Sequence, residues 1–187
     1  MLDPYASGVL HKQHHERLVA GIDGFARDAG IQPKWIWTRL ADTCGPEEVE
    51  WVTKFRRHQA DGESFGLCYL RKSPDAAPDV RMAAIAGALV RNFVRARVMT
   101  LGTVLDLLAA GEPVEATCLL IPNFFLAKNE GGTIAPWQVS ALYDLLTHRG
   151  SMGLQTVISA SSMVELGSEY GNAFSALVRN HYTVVEL

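Results

Sequence analysis

The stretch from Phe65 to Leu89, FGLCYLRKSPDAAPDVRMAAIAGAL, constrains this chain more than any other. The apolar run Phe65 to Leu70, followed by charge and proline, has the pattern of a buried strand. A polar loop runs from Arg71 to Pro78. From Asp79 onward Met82, Ile85, Leu89 and Phe93 recur at helical spacing, and Phe93 is expected on the buried side. Strand, loop and helix in this order is the layout of a phosphate-binding loop. Such a loop needs glycines so that backbone N–H groups can curl around phosphate, a lysine for charge, and a Ser or Thr hydroxyl for Mg²⁺. No glycine lies between Gly66 and Gly87. In the gap-free register Pro78 takes the lysine position and Asp79 the hydroxyl position. Proline has neither charge nor N–H, and the Asp79 carboxylate repels phosphate.

The chain has 187 residues, enough for one ordinary domain and a short extension. Its net charge of −3 gives no overall pull toward nucleic acid or an acidic membrane. Its longest apolar runs fall far short of a bilayer span, and the N-terminus lacks a signal-peptide pattern, so a cytoplasmic protein without membrane association is expected. Cys44, Cys68 and Cys118 form no CxxC pair and read as buried reduced thiols.

Leu10, Leu18, Ile22 and Phe25 predict one amphipathic helix over Leu10–Ala29, stopped by Gly30. His11, His14 and His15 lie near its start. With only Glu16 as a neighbouring acid, they read as a solvated basic turn rather than a metal site, and no metal is expected. Trp35 and Trp37 alternate after a linker at Gly30–Pro33. Pro46 opens a helix with Glu47 and Glu48 in its first turn and a wet basic face at Lys54, Arg56, Arg57 and His58. Gly62-Glu63-Ser64-Phe65-Gly66 matches the GxSxG of hydrolases, but Ser64 precedes the strand instead of following it, which makes this the weaker enzymatic reading. Further strands are expected at Arg97–Leu101, Ala116–Ile121, Leu154–Ser159 and Tyr182–Glu186, with helices between them. That alternation implies a parallel sheet covered on both faces, an α/β fold.

The order of elements resembles the AAA+ ATPase module of the DnaC/IstB helicase-loader family, from about Gly30 to Leu187. Ala29-Gly30-Ile31-Gln32-Pro33-Lys34 is similar to that family's AGIP-basic segment. Ala83 to Leu89 is similar to its AAAIANAL helix, and Leu119 to Asn123 to its Walker B strand. Val98 to Leu108 matches the second strand with its LLDLL helix. Leu142 to Arg149 with Gln155 to Ser161 matches LYxLIxxR … PTIITSN. Tyr170-Gly171 and Ser175 to Leu177 match the LG…SRL helix. The resemblance implies a three-layer αβα sandwich with strand order 5-1-4-3-2, an N-terminal helical extension over residues 1–30 and an AAA+-like core over 31–187. It also suggests a phage or mobile-element origin.

The departures fall on the chemistry. By the resemblance, Lys72, Pro74, Asp75, Ala77, Pro78 and Asp79 form a degenerate P-loop. Pro122 and Asn123 replace the Walker B acids, Ser161 falls near the polar sensor, and Ala176 replaces an arginine. A protein that has lost ATP hydrolysis and needs no cofactor is the expectation, because phosphoryl transfer depends on these groups. The resemblance implies a partner, a replicative helicase or a related AAA+ protein, met through the N-terminal helix; the stripe that its spacing marks, Leu18, Ile22 and Phe25, is expected either to meet that partner or to pack on the chain's own domain. A regulator of a transposition AAA+ ATPase is the alternative, with a residual ATPase or hydrolase behind it. Arg71, Arg81, Arg91, Arg95 and Arg97 have the charge to hold single-stranded DNA, and that question stays open on sequence.

Overall fold

The structure is a computed structural model that describes residues 12–62, 64–73, 75–125 and 134–187, with Lys12 described by its backbone alone. Helices α1 (Lys12–Ala20) and α2 (Ile22–Ala29) lead into short 3₁₀ turns at Pro33–Trp37 and Leu40–Asp42. Helices α3 (Pro46–Thr53) and α4 (Phe55–Asp61) follow, then β1 (Gly66–Leu70) and α5 (Pro78–Arg91). The remainder is β2 (Ala96–Val98), α6 (Leu101–Ala110), β3 (Cys118–Ile121), α7 (Pro136–Ser151), β4 (Gln155–Ala160), α8 (Met163–Tyr170), α9 (Asn172–His181) and β5 (Tyr182–Glu186).

The strands form one sheet in the order β2-β3-β4-β1-β5. Every pairing is parallel, as expected where a helix carries the chain back after each strand. The central run Leu67, Cys68, Tyr69 alternates between two apolar clusters because strand side chains alternate faces. Leu67 and Tyr69 join Leu18, Ile36, Met82, Ile85 and Leu89 on one side. Cys68 joins Leu105, Leu142, Leu166 and Val178 on the other. The expected three-layer sandwich and its strand order are both observed.

Two glycines hold this packing together. Gly66 adopts φ +154°, and a Cβ there would stand 1.7 Å from the Thr156 carbonyl oxygen of β4. A Cβ on Gly87 would stand 2.1 Å from the Trp35 carbonyl oxygen, so α5 lies directly against the first 3₁₀ turn. That turn also replaces the alternating conformation expected for Trp35 and Trp37.

Several element boundaries differ from expectation. The single helix expected over Leu10–Ala29 is broken at Gly21, whose backbone (φ −107°, ψ 11°) leaves the helical region. The helix opened by Pro46 is divided at Lys54. The second strand ends at Val98. Thr100 caps α6 by accepting the Thr103 N–H at 3.2 Å, which draws Leu101 into the helix. Phe93 is not buried: it ends α5 in a left-handed conformation, φ +57°, and is 36% exposed.

The stripe Leu18, Ile22 and Phe25 faces its own domain. Leu18 is fully buried, and Ile22 and Phe25 pack against the same cluster as α5. The stripe is thus largely spent on packing against α5, which removes apolar area from water, and Ile22 and Phe25 stay partly exposed. All three thiols are buried and unpaired, and burial pushes each up to about 12.

Candidate functional site: the C-terminal ends of the strands

In an open parallel sheet, ligands bind beyond the carboxyl ends of the strands. Here that edge holds the loop between β1 and α5. Five of its backbone N–H groups are already engaged. The Arg71 N–H donates to the Ala160 carbonyl at 3.0 Å, and the Lys72 and Ser73 N–H groups donate to the Leu187 carbonyl at 2.6 and 3.2 Å. The Asp75 N–H donates to Ser73 Oγ and the Ala76 N–H to the Ser73 carbonyl, both at 3.2 Å. Arg71 to Ser73 therefore continue the sheet edge beyond β1, bonded to β4 and to the end of β5. The Lys72 ammonium pairs with Glu186 on β5, an exposed contact. Ala77 precedes α5 without a side-chain cap, Pro78 is its first residue, and Asp79 stands exposed in its first turn. There the carboxylate favours the helix dipole and opposes an incoming anion. Pro74 lies outside the described residues.

The end of β3 carries Pro122, half-buried, and Asn123, exposed. Asn123 Oδ1 accepts the Phe125 N–H at 3.4 Å. The next residue, Phe124, turns inward, its N–H bonded to the Ser159 carbonyl at 2.9 Å and its ring among Tyr170 and Phe174. At the end of β4 the Ser161 hydroxyl bonds the Glu165 carboxylate, and Ser162 caps α8 by accepting the Glu165 N–H at 3.0 Å. Ala176 is exposed on α9, with Arg179 also exposed one turn later.

The structure brings part of this set together. Asp79 and Pro122 line one cleft of about 430 Å³, with Arg27, Gln32, Lys34 and Val98 on its other walls. The segment Gly30–Trp35 thus forms a wall of the site, a role its composition did not announce. Asp79 is the carboxylate in this cleft. Among the described residues no group of three or more His, Cys, Asp or Glu side chains is placed to hold a metal ion. His11 lies outside the described residues.

The arginines proposed for DNA do not form one surface. Arg81 donates through Nη1 to both Glu48 carboxylate oxygens at 2.9 Å. Burial works against the Arg81 charge, but the Glu48 carboxylate outweighs it and raises the guanidinium pKa. Arg91 donates to the Ile36 carbonyl at 2.8 Å and the Thr38 carbonyl at 3.3 Å, tying α5 to the 3₁₀ segment. Arg71, half-buried, starts the loop beside β4. Only Arg95 and Arg97 lie together, at the opposite end of the sheet, where β2 begins.

Two buried polar centres were missed in the sequence. Glu48, 1% exposed, accepts the Tyr69 hydroxyl at 2.8 Å as well as the Arg81 guanidinium, and it caps α3 through the Gly45 N–H. Burial, and then the Glu48 charge, drives the Tyr69 hydroxyl pKa upward. Its acidic first-turn position was visible; its cross-chain partners were not. Arg149, 2% exposed, is held by the Ala116, Val114 and Gln155 carbonyls and Thr156 Oγ1 at 2.8–3.3 Å. Burial lowers its guanidinium pKa from the ordinary arginine value. It joins α7 to the strands and does not face the cleft. Ser64 bonds the Gly66 carbonyl at 3.4 Å at the opposite end of β1, away from the ligand edge.

A five-stranded parallel sheet in this order, with helices on both faces and a strand–loop–helix unit at its centre, resembles the α/β fold of AAA+ P-loop proteins. No family model matches the sequence, and no curated protein sequence matches it. Among solved structures, that of DnaI superposes with a TM-score of 0.55 at 14% identity, covering 83% of this chain and 94% of the chain in that structure. The replication initiator DnaA, bound to AMPPCP and single-stranded DNA, superposes at 0.56 and 10% identity over 83% of this chain. A DNA replication initiation factor superposes at 0.57 and 10% identity over 83% of this chain. The chain spans about half the length of the latter two. At these identities the likeness is one of fold.

Proposed function

We propose that this protein is a non-catalytic, helicase-loader-like replication protein of the DnaC/IstB type, which binds a replicative helicase or a related AAA+ partner and neither binds nor hydrolyses ATP. The observation that carries the reading is the state of the β1–α5 loop. Its Arg71, Lys72 and Ser73 amides donate to the protein's own carbonyls, and an exposed aspartate stands at the mouth of α5. A triphosphate arriving there meets engaged donors and a like charge, which costs on the order of 1–4 kcal/mol at close range. The end of β3 supplies an amide and a proline in place of carboxylates for Mg²⁺. Two of the similar folds belong to proteins described as acting in the initiation of DNA replication, which supports placing the partner among replication proteins. Without a nucleotide shared between subunits, the protein is a monomer or a nucleotide-independent oligomer.

Two measurements test this. Calorimetry with millimolar Mg-ATP should give no saturable binding tighter than about 100 μM, or about −5.5 kcal/mol; binding tighter than that rejects the pseudo-ATPase reading. Pulldown of purified replicative helicase by the full chain, without nucleotide, should retain the helicase. Failure with the helicase but capture of an active AAA+ relative would move the partner to the second class. No helix among the described residues is long and apolar enough to cross a membrane.

A further inference from the structure

Strand β5 is an edge of the sheet, and no strand among the described residues lies beyond it. Its inner side is spent on β1. The Leu187 N–H donates to the Leu70 carbonyl at 2.8 Å, and the Leu187 carbonyl accepts the Lys72 N–H. Backbone direction alternates along a strand, so in the observed register Thr183 and Val185 also face β1. The N–H and carbonyl groups of Val184 and Glu186 therefore face outward, as does the Tyr182 carbonyl. The Tyr182 N–H donates to the Val178 carbonyl at the end of α9.

Such an edge is a template for another strand, and proteins commonly guard it with proline, a bulge or a charge. Before Glu186, β5 has no proline and no charged side chain, and its register with β1 is unbroken. Thr183 and Val184 are exposed, Val184 at 37%. β-Branched residues of this kind suit a pleated surface with a neighbour beside them.

The charges at the two ends of β5 decide which neighbour fits. Arg179 and His181 stand in the last turn of α9, directly before the strand, and Arg179 is exposed. Glu186 closes the strand, and beside Lys72 its side chain is still 56% exposed. A strand that is basic at its start and acidic at its end complements a second copy of itself running antiparallel. A parallel copy would set like charges side by side.

We propose that β5 pairs antiparallel with β5 of a second copy of this chain, about a two-fold axis at Val184, joining the two sheets into one. In this register the Val184 N–H of each copy donates to the Val184 carbonyl of the other. Each Glu186 N–H donates to the Tyr182 carbonyl of the other copy. The two Val184 side chains form a cross-strand apolar pair, and each Glu186 comes beside residues 179–181 of the other copy. A two-fold contact uses the same patch on both copies and closes, so it ends at a dimer. Neither nucleotide nor helicase takes part, and the inference stands or falls apart from the helicase reading.

The test is sedimentation velocity of the full chain, without nucleotide, from about 1 μM to about 1 mM. The mass should rise toward twice that of one chain. Val184→Pro removes an outward N–H that β1 does not use, which an edge strand tolerates. It should hold the protein monomeric, with the melting temperature within about 4 °C of the parent. Val184→Lys, which sets two ammonium groups opposite each other, should do the same without touching the backbone. Glu186→Arg should weaken the dimer, and adding Arg179→Glu should recover it. Directly opposed residues of a hydrogen-bonded antiparallel pair have Cα atoms about 5.5 Å apart, within reach of a disulfide. Val184→Cys should therefore cross-link on mild oxidation, while Thr183→Cys, opposite Val185 of the second copy, should not. The three native thiols are buried and leave this readout clear. A monomer throughout the concentration range overturns the proposal. So does a dimer that persists in both Val184→Pro and Val184→Lys, since it would rest on another surface, and so does equal cross-linking of the two cysteine variants.

Discussion

Serine at Leu18, Ile22 and Phe25 together should lower the melting temperature by roughly 10–20 °C, rather than abolish partner binding on an intact fold. Leu18 is fully buried, and truncation of a buried leucine costs about 2–5 kcal/mol from lost transfer energy and the cavity left behind. Ile22 and Phe25 add to this, because both rest on the cluster that holds α5. A combined loss above about 5 kcal/mol is a large share of the 5–15 kcal/mol that keeps a domain folded. Thermal melts by circular dichroism provide the measurement. A triple variant melting within about 2 °C of the parent, while losing its partner, would restore the stripe as a docking surface.

Arg149→Met should lower stability by roughly 3 kcal/mol or more, seen as a shift of the urea midpoint with unchanged slope. Methionine fills much of the space but leaves the buried Ala116 and Gln155 carbonyls and the Thr156 hydroxyl without their donor. Unsatisfied buried acceptors cost about 1–3 kcal/mol each. Replacing both sides of a buried polar contact can be neutral; here only one side changes. Arg149→Lys should fall between the two, since one ammonium on a flexible stem cannot serve four acceptors on two segments at once. A methionine variant as stable as the parent would show that water replaces the guanidinium, which would remove Arg149 as the link between α7 and the strands.

The two residues show how far sequence reading reaches. Leu18 was recognised as apolar on a helical stripe, and that reading holds. What covers the stripe was not legible, because period 3.6 identifies a face and says nothing of the neighbour. Arg149 was legible only as one letter of a family pattern. Its role depends on the Val114 and Ala116 carbonyls, which the pairing of β3 with β4 brings beside the nearby Gln155 carbonyl. Phe93 continued the Met82, Ile85, Leu89 spacing and so looked buried. The helix ended before it, and one left-handed residue turned the ring outward.

By itself the sequence determined the alternation of strand and helix, hence a parallel sheet, since apolar runs and amphipathic periods are local properties of the chain. It also showed that no glycine lies between Gly66 and Gly87, a lack that no later folding can supply. The tertiary structure alone decided the pairings. It placed the Ala160 and Leu187 carbonyls against the loop amides, Glu48 between Tyr69 and Arg81, and Arg95 and Arg97 around a ring at the far end of the sheet. The contacts of the loop amides and of Glu48 join residues about twenty or more positions apart. Their geometry is set by strand register and by how closely α5 approaches the 3₁₀ turn, and neither distance is encoded in any local pattern.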